Sequence, residues 1–218
     1  MRPASEARAI IEEQYQALLG SSPPWRATRL LLAQSRGEGR WGAFGGTDAA
    51  GDYYDENWGA VQAKMGPPCP PWTFEHGDSK PTADGQVPFR WCFLGYPSAS
   101  DGARDFLKHA LVYRPSAAVA VLTGNPQAYA TALYGNGKAP YFGGFGATVP
   151  ERIQSYVTFL ESNAREVDRE LGLPPPAIDV ASTPATPTRP GSNAAPRRGP
   201  GILLAAAVAA AAAFIMRQ

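Results

Sequence analysis

The residues whose types and spacing best suit chemistry lie in Ser35-Arg-Gly-Glu38-Gly-Arg-Trp-Gly42, with Asn57-Trp-Gly-Ala-Val-Gln62 following about twenty residues later. Glu38 falls at the carboxyl end of an expected apolar helix, between two glycines and near Trp41. A carboxyl against poorly hydrated aromatic surface has a raised pKa. Holding a proton near neutral pH is what general-acid cleavage of a glycosidic bond requires. The glycines would let backbone and sugar approach closely. Taken alone, these residues also suit a surface glutamate in a glycine turn. Gly37-x-Gly39-x-x-Gly42 matches the spacing of a dinucleotide-binding fingerprint as well. That fingerprint follows a strand and opens a helix, whereas here a helix is expected before it, so the reading is set aside.

Composition narrows the field further. A net charge of +1 argues against a protein that grips nucleic acid by bulk electrostatics. With only two histidines, His76 and His109, a His-rich zinc site is not expected, and no other metal or cofactor is implied. Cys69 and Cys92 cannot build a disulfide framework; they make either one bridge or two buried thiols. At 218 residues and 44% hydrophobic, the chain can bury one ordinary core. Nothing in it fixes an oligomeric state.

The elements that must position these residues are mainly helical. Ser5 to Leu19 reads as an amphipathic helix capped by Ser5, and Trp25 to about Ser35 as a second. From Gly37 to about Tyr96, Gly, Pro, Asp and aromatic residues dominate, as in loops and short strands that carry a site. Gln86 to Phe93 is the best strand candidate there. Helices are expected again from Ser100, from Ser116 and from Asn125-Pro126. Thr148-Val-Pro-Glu151 has the spacing of a capping box and opens a last long helix with Ile153, Tyr156, Val157, Leu160 and Val167 on its apolar face. The fold class is α+β, mainly helical, with a small irregular β-lobe inserted after the second helix.

A helix ending in Glu-Gly-x-Trp-Gly, an Asn-Trp-Gly-x-x-Gln segment, an aromatic strand and the turn Tyr96-Pro-Ser98 together resemble the lysozyme-like superfamily. Within it, the sequence is most similar to the bacterial peptidoglycan N-acetylglucosaminidases of flagellar and autolysin type. Ala128 to Leu133, Tyr141-Phe-Gly-Gly-Phe-Gly146 and the helix with Tyr156 follow in the same order, so the resemblance spans roughly Ala27 to Leu160. It implies a two-lobe lysozyme-like domain that cleaves peptidoglycan glycan strands with Glu38 as the acid. It also implies a second carboxylate from the β-lobe that positions water; Asp78 and Glu75 are the candidates, with Glu56 behind them. Many relatives use the substrate's own N-acetyl group in place of a protein nucleophile. Tyr141 matches the family tyrosine near the cleaved bond, though a packed core tyrosine is the alternative. Trp41, Asn57, Trp58 and Gln62 are the candidate substrate contacts, the two tryptophans chosen from several lobe aromatics that suit stacking on sugar faces. The family's Gly-Tyr-Ala-Thr-Asp segment is replaced here by Pro140-Tyr-Phe-Gly-Gly-Phe-Gly. That departure leaves hydrolysis and intramolecular transglycosylation both open, and muramidase or lytic transglycosylase activity with them.

Beyond Leu173 the composition changes. Residues 174–200 are rich in Pro, Ala, Ser and Thr, too poor in apolar matter to order themselves, and read as a disordered linker after a domain spanning 1–173. Ile202 to Met216 is unbroken apolar sequence at the lower limit for a membrane span, so 201–217 is expected to be a hydrophobic anchor helix. Arg197 and Arg198 would keep the domain on the cytoplasmic side, and Met1 to Arg8 carries no apolar run of a secretion signal. A wall substrate then implies a bacterial envelope or virion membrane reached by another route. The competing reading is a non-catalytic, membrane-tethered wall-binding or virion assembly protein on the same scaffold.

Overall fold

A computed structural model describes residues 2–82, 85–135 and 140–174. Helix α1 (Ala4–Leu19) begins at Pro3 rather than at Ser5, and Gly20 in the left-handed conformation ends it. Helix α2 (Trp25–Gly39) is one turn longer than its apolar pattern suggests. Its extra turn contains Glu38. A short 3-10 turn, Arg40–Gly42, then leads into the small lobe.

That lobe is more regular than its composition predicts. Strands β1 (Gly46–Thr47) and β2 (Tyr53–Tyr54) form one antiparallel pair. Strands β3 (Thr73–Thr82) and β4 (Gly85–Leu94) form a long antiparallel pair in which Phe74 faces Phe93 and Asp78 faces Phe89. The segment Phe74-Glu-His-Gly-Asp78, within the stretch expected to hold loops and short strands, is therefore part of a long strand. Its Glu, Gly and Asp disfavour strands only weakly, and cross-strand partners override that preference. Phe44, Phe74 and Phe93 meet with ring centroids 5.2–6.0 Å apart and form the lobe's apolar centre. Cys69 and Cys92, both buried, are joined as a disulfide, which selects the bridge over two thiols.

Helix α3 (Ala99–Leu107) starts at Ser98, whose side chain accepts from the Asp101 amide, and runs into a π-helical turn, Lys108–Val112. Helices α4 (Pro115–Val121) and α5 (Pro126–Tyr134) each open on proline, and Asn125 caps the second. Helix α6 (Val149–Glu170) carries both halves of the expected capping box between Thr148 and Glu151.

The core gathers Ile11, Leu30, Leu31, Phe106, Leu107, Leu133 and Leu160, all at most 1% exposed. Helix α2 is the spine, because Leu30, Leu31 and Leu32 leave it no wholly polar face. Arg29 holds it to α6 through two guanidinium nitrogens on the Asp168 carboxylate, the closer at 2.6 Å. Met1–Leu173 packs as one compact unit. Among the described residues no helix is long and apolar enough to cross a membrane. The expected linker and anchor lie outside the described residues.

Candidate active site

Glu38 owes its position to close packing on both sides of the last turn of α2. A Cβ at Gly37 would fall 2.1 Å from the Phe159 ring of α6, and one at Gly39 would fall 2.2 Å from the Asn57 carbonyl. These glycines therefore let a helix and a loop close on α2, a packing reason for their presence beside the expected approach of a sugar. Ser35 ties the same loop down by donating to the Trp58 carbonyl at 2.7 Å.

Between these supports the Glu38 carboxyl meets three donors. Tyr141 donates its hydroxyl to Oε2 at 2.9 Å, Tyr156 donates to Oε1, and the Gln34 amide approaches Oε2 at 3.5 Å. Gln34 is itself fixed by the Tyr129 hydroxyl at 2.6 Å, and both are fully buried. Protein packed around the carboxyl strips it of water and pushes its pKa up to about 7, although the bonds from Tyr156, Tyr141 and Gln34 pull the other way. The carbonyl end of α2 also disfavours a negative charge there. Desolvation wins. The same burial, together with the Glu38 charge, raises the phenols of Tyr141 and Tyr156 well above their ordinary value.

One edge of Glu38 opens on a cleft. Two cavities meet at it and share Glu38, Asp78, Phe142 and Gly143 as lining. One extends past Gly59–Gln62, Phe89, His109, Arg114 and Tyr141; the other runs past Gly37, Phe145, Ser155, Tyr156 and Phe159. Asp78 reaches the cleft because it shares a strand face with Phe74 and His76, at alternate positions of β3. The Gln62 side-chain amide donates to it at 2.5 Å. Among the described residues no His, Cys, Asp and Glu cluster has the makings of a metal site.

The fold sorts the sequence candidates. Glu38, Asp78, Tyr141 and Gln62 come together at the cleft. Glu75 does not: it lies on the other strand face and pairs with Arg90. Glu56 is taken by Arg2 at 2.9 Å and by the Trp58 indole N–H at 3.2 Å. The two tryptophans chosen for sugar stacking are fully buried. Trp41 donates to the Leu32 carbonyl at 3.0 Å, and Trp58 packs under the Arg2 guanidinium at 5.2 Å. Asn57 is a structural brace as well, its amide donating to the Val61 and Leu94 carbonyls and its oxygen accepting from the Val61 amide. Large flat apolar side chains next to a reactive carboxyl are as useful to the core as to a ligand, and here the core takes them. Gln34 and Tyr156, which complete the Glu38 cage, sit at helix positions that read only as packing. Arg114, over the Tyr141 ring at 5.1 Å, gave no sequence signal either.

No protein-family model matches the chain, and no curated protein matches it. Similar solved structures include a peptidoglycan hydrolase mutant from Sphingomonas sp. A1, at 20% identity over 78% of this chain and 92% of that one, with a TM-score of 0.47. The glycoside hydrolase domain of FlgJ from Salmonella typhimurium is similar at 19% identity over 78% of this chain and 94% of that one, with a TM-score of 0.40. A C-terminally truncated form of that domain gives 21% identity, 76% and 98% coverage, and a TM-score of 0.41.

Proposed function

We propose that this chain is a glycoside hydrolase that cleaves the β-1,4 glycan backbone of peptidoglycan, with Glu38 as its general acid. The observation that carries this reading is a carboxyl at the meeting point of two cavities whose pKa, about 7, keeps much of it protonated at neutral pH. In the first step Glu38 gives its proton to the glycosidic oxygen as the bond from that oxygen to the anomeric carbon breaks. The carboxylate left behind is received by the hydrogen bonds already in place from Tyr141 and Tyr156. The anomeric carbon is then met by water directly, or first by the substrate's own N-acetyl oxygen, whose new bond to that carbon breaks when water attacks there. Asp78, across the cleft, orients the water, which passes its proton back to Glu38. If a hydroxyl of the same sugar replaces the water, the identical machinery yields an anhydro product.

The motifs around Glu38 and the Asn57 to Gln62 segment, which resemble the peptidoglycan glycosidases, support the substrate class. In the same reading the apolar run from Ile202 to Met216 tethers the enzyme to a membrane, which flotation of the full chain with lipid vesicles tests. The deciding experiment is zymography of the full chain on purified peptidoglycan with mass analysis of the soluble products. A new reducing end on N-acetylglucosamine or on N-acetylmuramic acid identifies the bond, and an anhydro end identifies transglycosylation. Absence of any glycan cleavage sinks the proposal.

A further inference from the structure

The segment that departs most from the family pattern, Tyr141-Phe-Gly-Gly-Phe-Gly146, displays a ring to the cleft. Phe145 is 69% exposed, more than any other large hydrophobic side chain among the described residues. It also lines the cavity that holds Glu38, Asp78 and Tyr156. A single exposed ring is ordinary on a protein surface; Phe145 differs from the others in standing in the same cavity as the Glu38 carboxyl.

The loop around it is fixed in place. The Phe145 amide donates to the Ser155 hydroxyl at 2.8 Å, and Arg152 donates to the Gly146 carbonyl at 3.0 Å. Gly144 and Gly146 hold positive φ, +68° and +136°, where a Cβ would lie 2.7 Å from the Arg152 carbonyl oxygen and 2.4 Å from the Glu151 Cβ. Glycine is what lets the chain turn so tightly on α6. At the base of the loop, Phe142 stacks on the Tyr156 ring at 3.8 Å, which joins the loop to a side chain that grips Glu38. Phe145 is thus presented by a backbone already ordered for contact, at little further entropic cost.

We propose that Phe145 is the stacking platform of a sugar subsite, packing on the apolar face of an N-acetylhexosamine ring. The subsite lies in the cavity lined by Ser155 and Phe159, not in the one lined by Gln62 and Arg114. Continuity with the cleft selects the occupant: a glycan strand that spans Glu38 must pass through this cavity as well as the other. The inference rests on the glycosidase reading and deepens it by giving the second half of the cleft a ligand.

The test compares Phe145→Ala, Phe145→Leu and Phe145→Trp in the full chain. Turnover of peptidoglycan fragments is measured, with calorimetric binding of chitotetraose to the same variants in a Glu38→Gln background. Loss of one stacked ring should lower both kcat/KM and affinity by about tenfold in the Ala variant. Leu keeps apolar bulk without a flat face and should lose nearly as much, whereas Trp should restore wild-type values. Melting temperatures should not move, because the ring is not packed in the core. Wild-type KM and affinity in the Ala variant, or full rescue by Leu, overturn the subsite while leaving the glycosidase reading intact. If the wild type cleaves no glycan but binds chitotetraose with the same dependence on Phe145, the subsite stands and the catalytic reading falls. If it neither cleaves nor binds, both fall.

Discussion

Glu38 on the helical wall is gripped by Gln34, Tyr141 and Tyr156 and largely desolvated, with one edge on the cleft, whereas Asp78 on the hairpin wall takes the Gln62 amide in the cleft. The contrast follows from what supports each side chain. Helices α2 and α6 bring two apolar faces together around Glu38, so its charge must form in a poorly solvated place. The β3–β4 pair has an apolar centre at Phe74 and Phe93 but is only partly covered at Asp78, midway along β3. A proton donor benefits from the first environment. A group that only orients water loses nothing in the second.

The largest expected effect removes the dry side of this comparison. Glu38→Gln should lower glycan cleavage roughly 10²–10⁴-fold with the fold intact, measured as turnover beside circular dichroism. The variant also separates chemistry from stability. In the wild type the folded pKa, about 7, lies above the ordinary value of 4.5. The folded state therefore binds more protons than the unfolded chain between those values, and stability falls as pH rises through that window. The wild type should lose roughly 3 kcal/mol over it relative to Glu38→Gln, followed by denaturant midpoints at several pH values. Equal pH dependence in both proteins would show that Glu38 is solvated after all.

The wet side should respond less. Asp78→Asn is expected to cost about ten- to a hundredfold in kcat with KM little changed, while Glu75→Gln, on the opposite strand face, stays within about twofold. A larger loss from Glu75 than from Asp78 would reverse the assignment of the two strand faces. Opening the Cys69–Cys92 bridge by a double serine substitution removes a cross-link over 23 residues, and should lower stability by about 3 kcal/mol by the chain-entropy estimate. Chemical denaturation measures it. The smallest effect concerns the cage. The Tyr156 hydroxyl lowers the Glu38 pKa, so Tyr156→Phe should move the alkaline limb of the kcat/KM profile to higher pH, with only a few-fold change at the optimum. A limb that moves down instead would mean that Tyr156 stabilises the protonated acid.

Much of this was legible in the residues because the relevant signals were local. Glu38 between glycines, the Thr148–Glu151 capping box and the apolar spacing of α1, α2 and α6 each declare themselves within one turn or two. The illegible parts depend on contacts between distant segments. Tyr156 lies 118 positions from Glu38 and occupies a helix face that reads as packing; only the crossing of α2 and α6 brings it to the carboxyl. Trp41 and Trp58 carried the opposite error. Their proximity to Glu38 in sequence suggested a sugar platform, but the left-handed turn at Arg40 and Trp41 directs the first into the core, and Arg2 covers the second. Residues 73–78 hid a strand because its partner, β4, supplies the pairing that their own composition does not favour.

The chain of contacts behind Glu38 sets an order in time. From the carboxyl, Gln34 leads to Tyr129, and both are sealed in the core; burial raises the phenols of Tyr129, Tyr141 and Tyr156, so they stay un-ionised at neutral pH. Among the described residues, the hydrogen bonds that lead away from Glu38 through Gln34 reach no further acid or base. On the glycosidase reading, a spent Glu38 is recharged from the cleft side, where a bound glycan would be the stopper, so reloading would wait either for the attacking water to surrender its proton or for the product to vacate the groove.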